Sequence, residues 1–97
     1  MLAPLDTLSP LDGRYRALTE PLRAYLTEAA LYRARVQVAV EYLIFLARSQ
    51  AINFVAPLDP GQQGKLRALY RQFSPDDAEA IQAWDRRVNH DVKAVEY

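Results

Sequence analysis

Between Pro21 and Pro57 the chain has neither glycine nor proline, and its apolar residues come too densely for a single stripe. Thr27-Glu28 is placed to cap a long helix running to about Arg48, after a shorter helical piece around Arg16 to Tyr25. Val36 to Glu41 alternates as a strand does, but an uninterrupted run of this length is far longer than an ordinary strand, so length decides for helix. On a helical wheel Arg33, Gln37, Glu41 and Arg48 share one polar ridge, while Arg35 and Glu28 fall nearly opposite. The rest of that helix is apolar, which predicts burial on more than one side. So short a chain has few elements with which to cover it. The pattern therefore calls for partner surface, from more of the same chain or from a second subunit.

The flanking segments read as turns and shorter helices. Pro4, Pro10 and the Asp12-Gly13 pair make residues 1 to 15 an irregular stretch with a tight turn. Ala51 to Gly64, with Pro57, Pro60, Gly61 and Gly64, reads as a loop leading to a third helix. In that helix Leu66, Leu69, Tyr70 and Phe73 follow at helical spacing. Ser74-Pro75-Asp76-Asp77 is a start signal, with Ser as N-cap, Pro at the first position and two acids facing the positive end of the dipole. Ala78, Ile81, Trp84 and Val88 form its stripe, Arg86 and Arg87 fall in its last turn, and Asn89 is placed as a left-handed cap. Asp91 opens a further helix that is still running at Tyr97. The expectation is one all-α domain over residues 1–97, with four to five helices and no significant sheet, ending inside a helix.

Composition narrows the function. Twelve basic and twelve acidic residues cancel, which argues against nucleic acid or an anionic membrane as partner. With no cysteine and one histidine, the chain has too few ligands for zinc. The absence of cysteine is compatible with the cytoplasm. Residues 1 to 10 lack the basic and apolar regions of a signal peptide, and the most apolar run, Val36 to Ala47, is too short to span a bilayer.

Polar chemistry gathers at two places. The Asp12-Gly13 turn delivers Arg14 and Tyr15 side by side, a guanidinium fork next to a phenol, able to reach toward one ligand. Spacing alone favours the other reading, a solvated charge and a ring packed on the first helix, because Asp-Gly turns followed by a basic residue are common. At the other end Asn89, His90, Asp91 and Lys93 fall within five positions. A helix break there frees backbone groups and lets side chains converge on a polar ligand. His90 can donate a hydrogen bond or exchange a proton, and an adjacent carboxylate can orient it. The alternative is a capping cluster in which Asn89 ends one helix, Asp91 starts the next and His90 fills the corner. Ser9, Ser49 and Ser74 have no nucleophile context.

Two stretches carry a resemblance. Leu8-Ser9-Pro10-Leu11-Asp12-Gly13-Arg14-Tyr15 and Asn89-His90-Asp91-Val92-Lys93-Ala94-Val95-Glu96-Tyr97 resemble the N-terminal signatures of the adenylosuccinate lyase family, in its bacterial form. The stretch from Tyr32 to Val38 is similar to that family too, and neither signature departs from its pattern. The resemblance implies the N-terminal helical domain of a fumarase/aspartase-like lyase, an all-α cytoplasmic homotetramer needing no cofactor. It further implies elimination of fumarate from adenylosuccinate, giving AMP, and from the succinylated carboxamide ribotide of purine synthesis. Carried over, Arg14 and Tyr15 bind the nucleotide, and Asn89, His90 and Asp91 contact its nucleoside and succinyl region, with Lys93 a possible further contact. The family's general acid and base lie downstream, so the resemblance puts no catalytic residue in these 97. A sister lyase of the same superfamily has less need of the Arg14-Tyr15 pair. A small helical interaction module would tolerate changes at Arg14, Tyr15 and His90 but not at Val38 or Leu43.

Overall fold

A computed structural model describes residues 3–49, 51 and 55–97. Its organising element is a helix of 21 residues, α3 (Glu28–Arg48), capped where Thr27 Oγ1 accepts the Ala30 N–H at 3.1 Å. Before it come two single turns, α1 (Arg16–Thr19) and α2 (Arg23–Leu26), separated by a 3-10 turn at Glu20–Leu22. The expected helix from Arg16 to Tyr25 is thus broken. Pro21 has no N–H to donate, so the backbone tightens around it before α2 restarts.

The expected loop from Ala51 to Gly64 also needs correcting, apart from residues 52–54, which lie outside the described residues. Helix α4 (Pro60–Arg71) starts before both of the glycines assigned to that loop. Asp59 accepts the Gln62 N–H at 2.8 Å while the Gln62 side chain accepts the Asp59 N–H at 3.0 Å, with Pro60 at the first position. That reciprocal cap, plus Leu66 and Tyr70 on the inner face, outweighs two helical glycines at about 1 kcal/mol each. Phe73, expected within this helix, lies just past its end. Helix α5 (Pro75–Val88) begins as expected, with a second capping box between Ser74 and Asp77, and α6 (Asp91–Glu96) follows the break at Asn89. The described residues contain no strand, and none of their helices is long and apolar enough to cross a membrane.

The two polar faces of α3 each meet a different partner. Glu41 accepts from Arg67 Nε at 2.9 Å, from Arg67 Nη2 at 3.2 Å and from the Tyr70 hydroxyl at 2.6 Å. Arg33 Nε donates to the Tyr70 carbonyl at 2.9 Å. Beneath these bonds Val40, Ile44 and Tyr70 form the core, flanked by Val36, Leu58 and Leu66. The opposite face turns Tyr32 and Arg35 toward α5 and α6.

Between these faces an apolar arc stays open. Leu31, Val38, Tyr42 and Phe45 lie on one stripe of α3, with Val38 69% and Phe45 63% exposed. The molecule exposes 7793 Å², about 2,200 Å² more than a compact chain of its mass. Its radius of gyration is 17.3 Å, against about 12–13 Å for a compact domain of this length. The expected shortage of covering elements is thus visible as open apolar surface.

Two outcomes are expected. The chain alone will self-associate or bind an apolar dye, which light scattering and fluorescence check; a strict monomer at high concentration with no dye uptake would contradict it. The second concerns acid. Arg67 and Tyr70 hold the Glu41 carboxyl down at about 2. A group depressed on folding stabilises above its ordinary value and loses that effect as pH falls through its folded one. Thermal midpoints read by circular dichroism should therefore fall as pH drops from about 4.5 toward 2, and Glu41→Gln should flatten that slope.

Candidate functional site

The first arm is built on a turn that only glycine can make. A Cβ on Gly13 would sit 2.5 Å from Thr7 Oγ1 and 2.7 Å from the Pro4 carbonyl oxygen, so the chain closes against itself there. Thr7 Oγ1 lies 3.0 Å from both the Pro4 and Ser9 carbonyl oxygens, which share its one proton, and Ser9 Oγ accepts the Leu11 N–H at 3.2 Å. Asp12 is paired with Arg16 Nη1 at 3.3 Å and with the Arg23 guanidinium, which fixes the turn to α1 and α2. The Tyr15 N–H donates to the Pro10 carbonyl at 2.9 Å. Arg14 and Tyr15 then emerge together. The Arg14 guanidinium carbon lies 5.5 Å from the Tyr15 ring centroid, and both residues are exposed. Among the described residues no carboxylate pairs with Arg14. A guanidinium braced on an aromatic face, with its donors open, suits an anion.

The second arm is the corner between α5 and α6. Asn89 adopts the left-handed conformation at φ 53°, its N–H donating to the Asp85 carbonyl at 2.7 Å. His90 is extended and caps α6, with Nδ1 accepting the Lys93 N–H at 3.2 Å. A neutral imidazole that accepts at Nδ1 carries its proton on Nε2, so Nε2–H is left as a donor on the exposed side. Asp91 is committed to the frame. Its Oδ2 meets Arg35 Nη1 at 2.5 Å and its Oδ1 accepts the Val92 N–H at 2.8 Å. The Arg35 guanidinium holds the Asp91 carboxyl below the usual carboxylate range. The side chains of Asn89 and Lys93 are exposed and make no hydrogen bond to the described residues.

The capping reading and the ligand reading thus apply to different atoms of the same residues. Asn89 caps with its backbone and His90 with Nδ1, which leaves a carboxamide and an Nε2–H for a ligand. These groups can orient and hydrogen-bond a polar, anionic molecule.

The structure does not join the two arms. Among the described residues no hydrogen bond, ion pair or aromatic contact links Arg14 or Tyr15 to Asn89, His90 or Asp91. Neither arm's exposed groups line the larger cavities. One of about 640 Å³ opens between α2, α3 and the start of α5, near Arg33 and Phe73. Another of about 360 Å³ lies between α3 and α6, near Arg35, Val38 and Val92. Sequence reasoning placed Arg35 correctly on its own side of α3 but missed its partner, because a helical wheel gives a direction and not a neighbour. It missed Tyr32 altogether. That ring is 3% exposed, with its hydroxyl 3.0 Å from Glu28 Oε1 and 3.4 Å from Asp85 Oδ2.

Comparison with known proteins gives a consistent result. The adenylosuccinate lyases of Haemophilus influenzae and Escherichia coli K12 are each 43% identical over 96 residues, covering 99% of this chain and 21% of those proteins. The adenylosuccinate lyase of Dictyostelium discoideum is 42% identical over 96 residues, covering 96% of this chain and 20% of that protein. The chain therefore spans about one fifth of the length of these curated relatives, consistent with an N-terminal portion of such a lyase. No family model matches it.

The corner separates its two roles by substitution. Asn89→Gly should keep or raise the urea-unfolding free energy, because glycine accepts the left-handed backbone freely. Asn89→Ala should lower it by about 1 kcal/mol.

Proposed function

We propose that these residues form the N-terminal substrate-binding portion of an adenylosuccinate lyase. The reaction is the elimination of fumarate from adenylosuccinate, giving AMP, and from the succinylated carboxamide ribotide. The observation that carries this reading is the match over nearly the whole chain to three such enzymes at 42–43% identity. The exposed polar groups of Arg14, Tyr15, Asn89 and His90 support it.

In this reading Arg14 and Tyr15 take the nucleotide at its phosphate, where a guanidinium fork and a phenol can donate together. The Asn89 carboxamide and His90 Nε2–H contact the nucleoside and succinyl region. Asp91 borders the same region and fixes the corner, and Lys93 supplies a further cation for a carboxylate. The elimination needs a base to take the proton beside a carboxylate. It also needs donors to hold the resulting aci-carboxylate and an acid to protonate the leaving nitrogen. These residues offer donors but no acid–base pair. His90 is the only histidine, and its Nδ1 is occupied. Ser9 and Ser74 accept backbone N–H groups in caps, and Ser49 closes α3. The proton-transfer groups therefore belong to the rest of the longer lyase. A cytoplasmic homotetramer acting without a cofactor belongs to the same reading. A second reading, a helical interaction module, draws on the open stripe of Leu31, Val38, Tyr42 and Phe45 alone and leaves both polar arms unexplained.

The test replaces the matching fifth of the Escherichia coli enzyme with these residues and follows adenylosuccinate cleavage by absorbance. The chimera should be active, and Arg14→Ala or His90→Ala should each lower kcat/KM by about ten- to a hundredfold. A folded chimera that is inactive, or indifferent to both substitutions, would overturn the proposal. The 97 residues alone should release no fumarate.

A further inference from the structure

The Asn89–His90 corner is held from beneath by two side chains that stand one helical turn apart on α3. Tyr32, 3% exposed, packs against the last turn of α5: its hydroxyl, 3.0 Å from Glu28 Oε1 on its own helix, shares its one proton with Asp85 Oδ2 at 3.4 Å. The carbonyl of that same Asp85 accepts the Asn89 N–H at 2.7 Å. Arg35 reaches the first turn of α6, with Nη1 2.5 Å from Asp91 Oδ2, and Asp91 follows His90 directly in the chain. Arg35 Nη1 is buried and makes no hydrogen bond of good geometry, so its tie to Asp91 is a close ion pair. Ala94, 1% exposed, seals the corner from below, its N–H donating to the His90 carbonyl at 2.9 Å. One helix thus meets an aspartate on each side of a two-residue hinge, Asp85 one turn before Asn89 and Asp91 directly after His90. Within the hinge the left-handed backbone of Asn89, its bond to Asp85 and the His90 cap set the angle, and Trp84 stacks on Tyr97 across it with ring centroids 4.3 Å apart.

We infer that Tyr32 and Arg35 are positioning residues for the reaction: they set where His90 Nε2–H and the Asn89 carboxamide meet the substrate, without touching it themselves. This rests on the lyase reading above. The physical reason is preorganisation. Two donors on a short hinge lose orientation when either clamp opens, and a displaced donor costs binding in the ground state and in the transition state. Neither side chain is needed for the α3–α4 core, which Glu41, Arg67 and Tyr70 hold from the other face of α3.

The experiment is a double-substitution cycle in the complete lyase that carries these residues. Arg35→Gln should raise KM for adenylosuccinate about tenfold and Tyr32→Phe about fivefold, with kcat changed less, and Arg35→Lys should recover most of the loss. In a His90→Ala background Arg35→Gln should cost little more, because its effect passes through the histidine. Glu41→Gln, which breaks an ion pair on the other face of α3, should lower the thermal midpoint and leave KM unchanged. Fully additive losses, or a KM that moves with the thermal midpoint across all four variants, would overturn the inference while leaving the lyase reading intact. Failure of the unsubstituted enzyme to cleave adenylosuccinate would overturn the lyase reading and this inference with it.

Discussion

Everything in this chain depends on one helix carrying polar groups on two opposite faces. Helix α3 cannot turn about its own axis without breaking either the Glu41 bonds to Arg67 and Tyr70 or the Arg35–Asp91 pair. Apolar packing alone would tolerate such rotation, because apolar residues surround much of its circumference and one is much like another in a greasy interface. The charged contacts remove that freedom. Individually they are partly solvated, and exposed ion pairs stabilise little. Their effect is on register: they choose which apolar arc faces α4, which faces the α5–α6 corner, and which is left open.

The pattern in the sequence was most informative where local chemistry decides the outcome. Thr27, Ser74 and Asn89 were readable as caps because each satisfies a helix end within its own few residues, and the structure realises all three. It misled where a local cost is outweighed by another local gain. Gly61 and Gly64 suggested a loop, yet the Asp59–Gln62 box and Pro60 start a helix across both. Pro21 broke the helical piece expected from Arg16 to Tyr25. Long-range pairs were the least legible. The wheel separated Arg35 from the ridge of Arg33, Gln37 and Glu41, but no spacing rule could say that Asp91, far along the chain, would answer it.

The candidate site residues were legible for a different reason. The segments around Arg14 and His90 resemble a known family, and their spacing alone left the bland reading open at both places. The structure sharpens that ambiguity into a division among atoms. Backbone groups and one ring nitrogen serve the caps, and the outward-facing polar groups remain free.

The two arms follow one design, although they share no contact among the described residues. Each contains an aspartate held by arginine from a neighbouring helix: Asp12 by Arg16 and Arg23, Asp91 by Arg35. Each then presents the residues beside that aspartate to solvent, Arg14 and Tyr15 in one case, Asn89 and His90 in the other. A carboxylate left loose beside these donors would compete for them and repel an anionic ligand. Pairing it with a framework arginine removes the competition and stiffens the backbone in the same step. A binding surface made this way can be assembled from separate short segments, because each is rigid before the ligand arrives and needs from the rest of the protein only its placement.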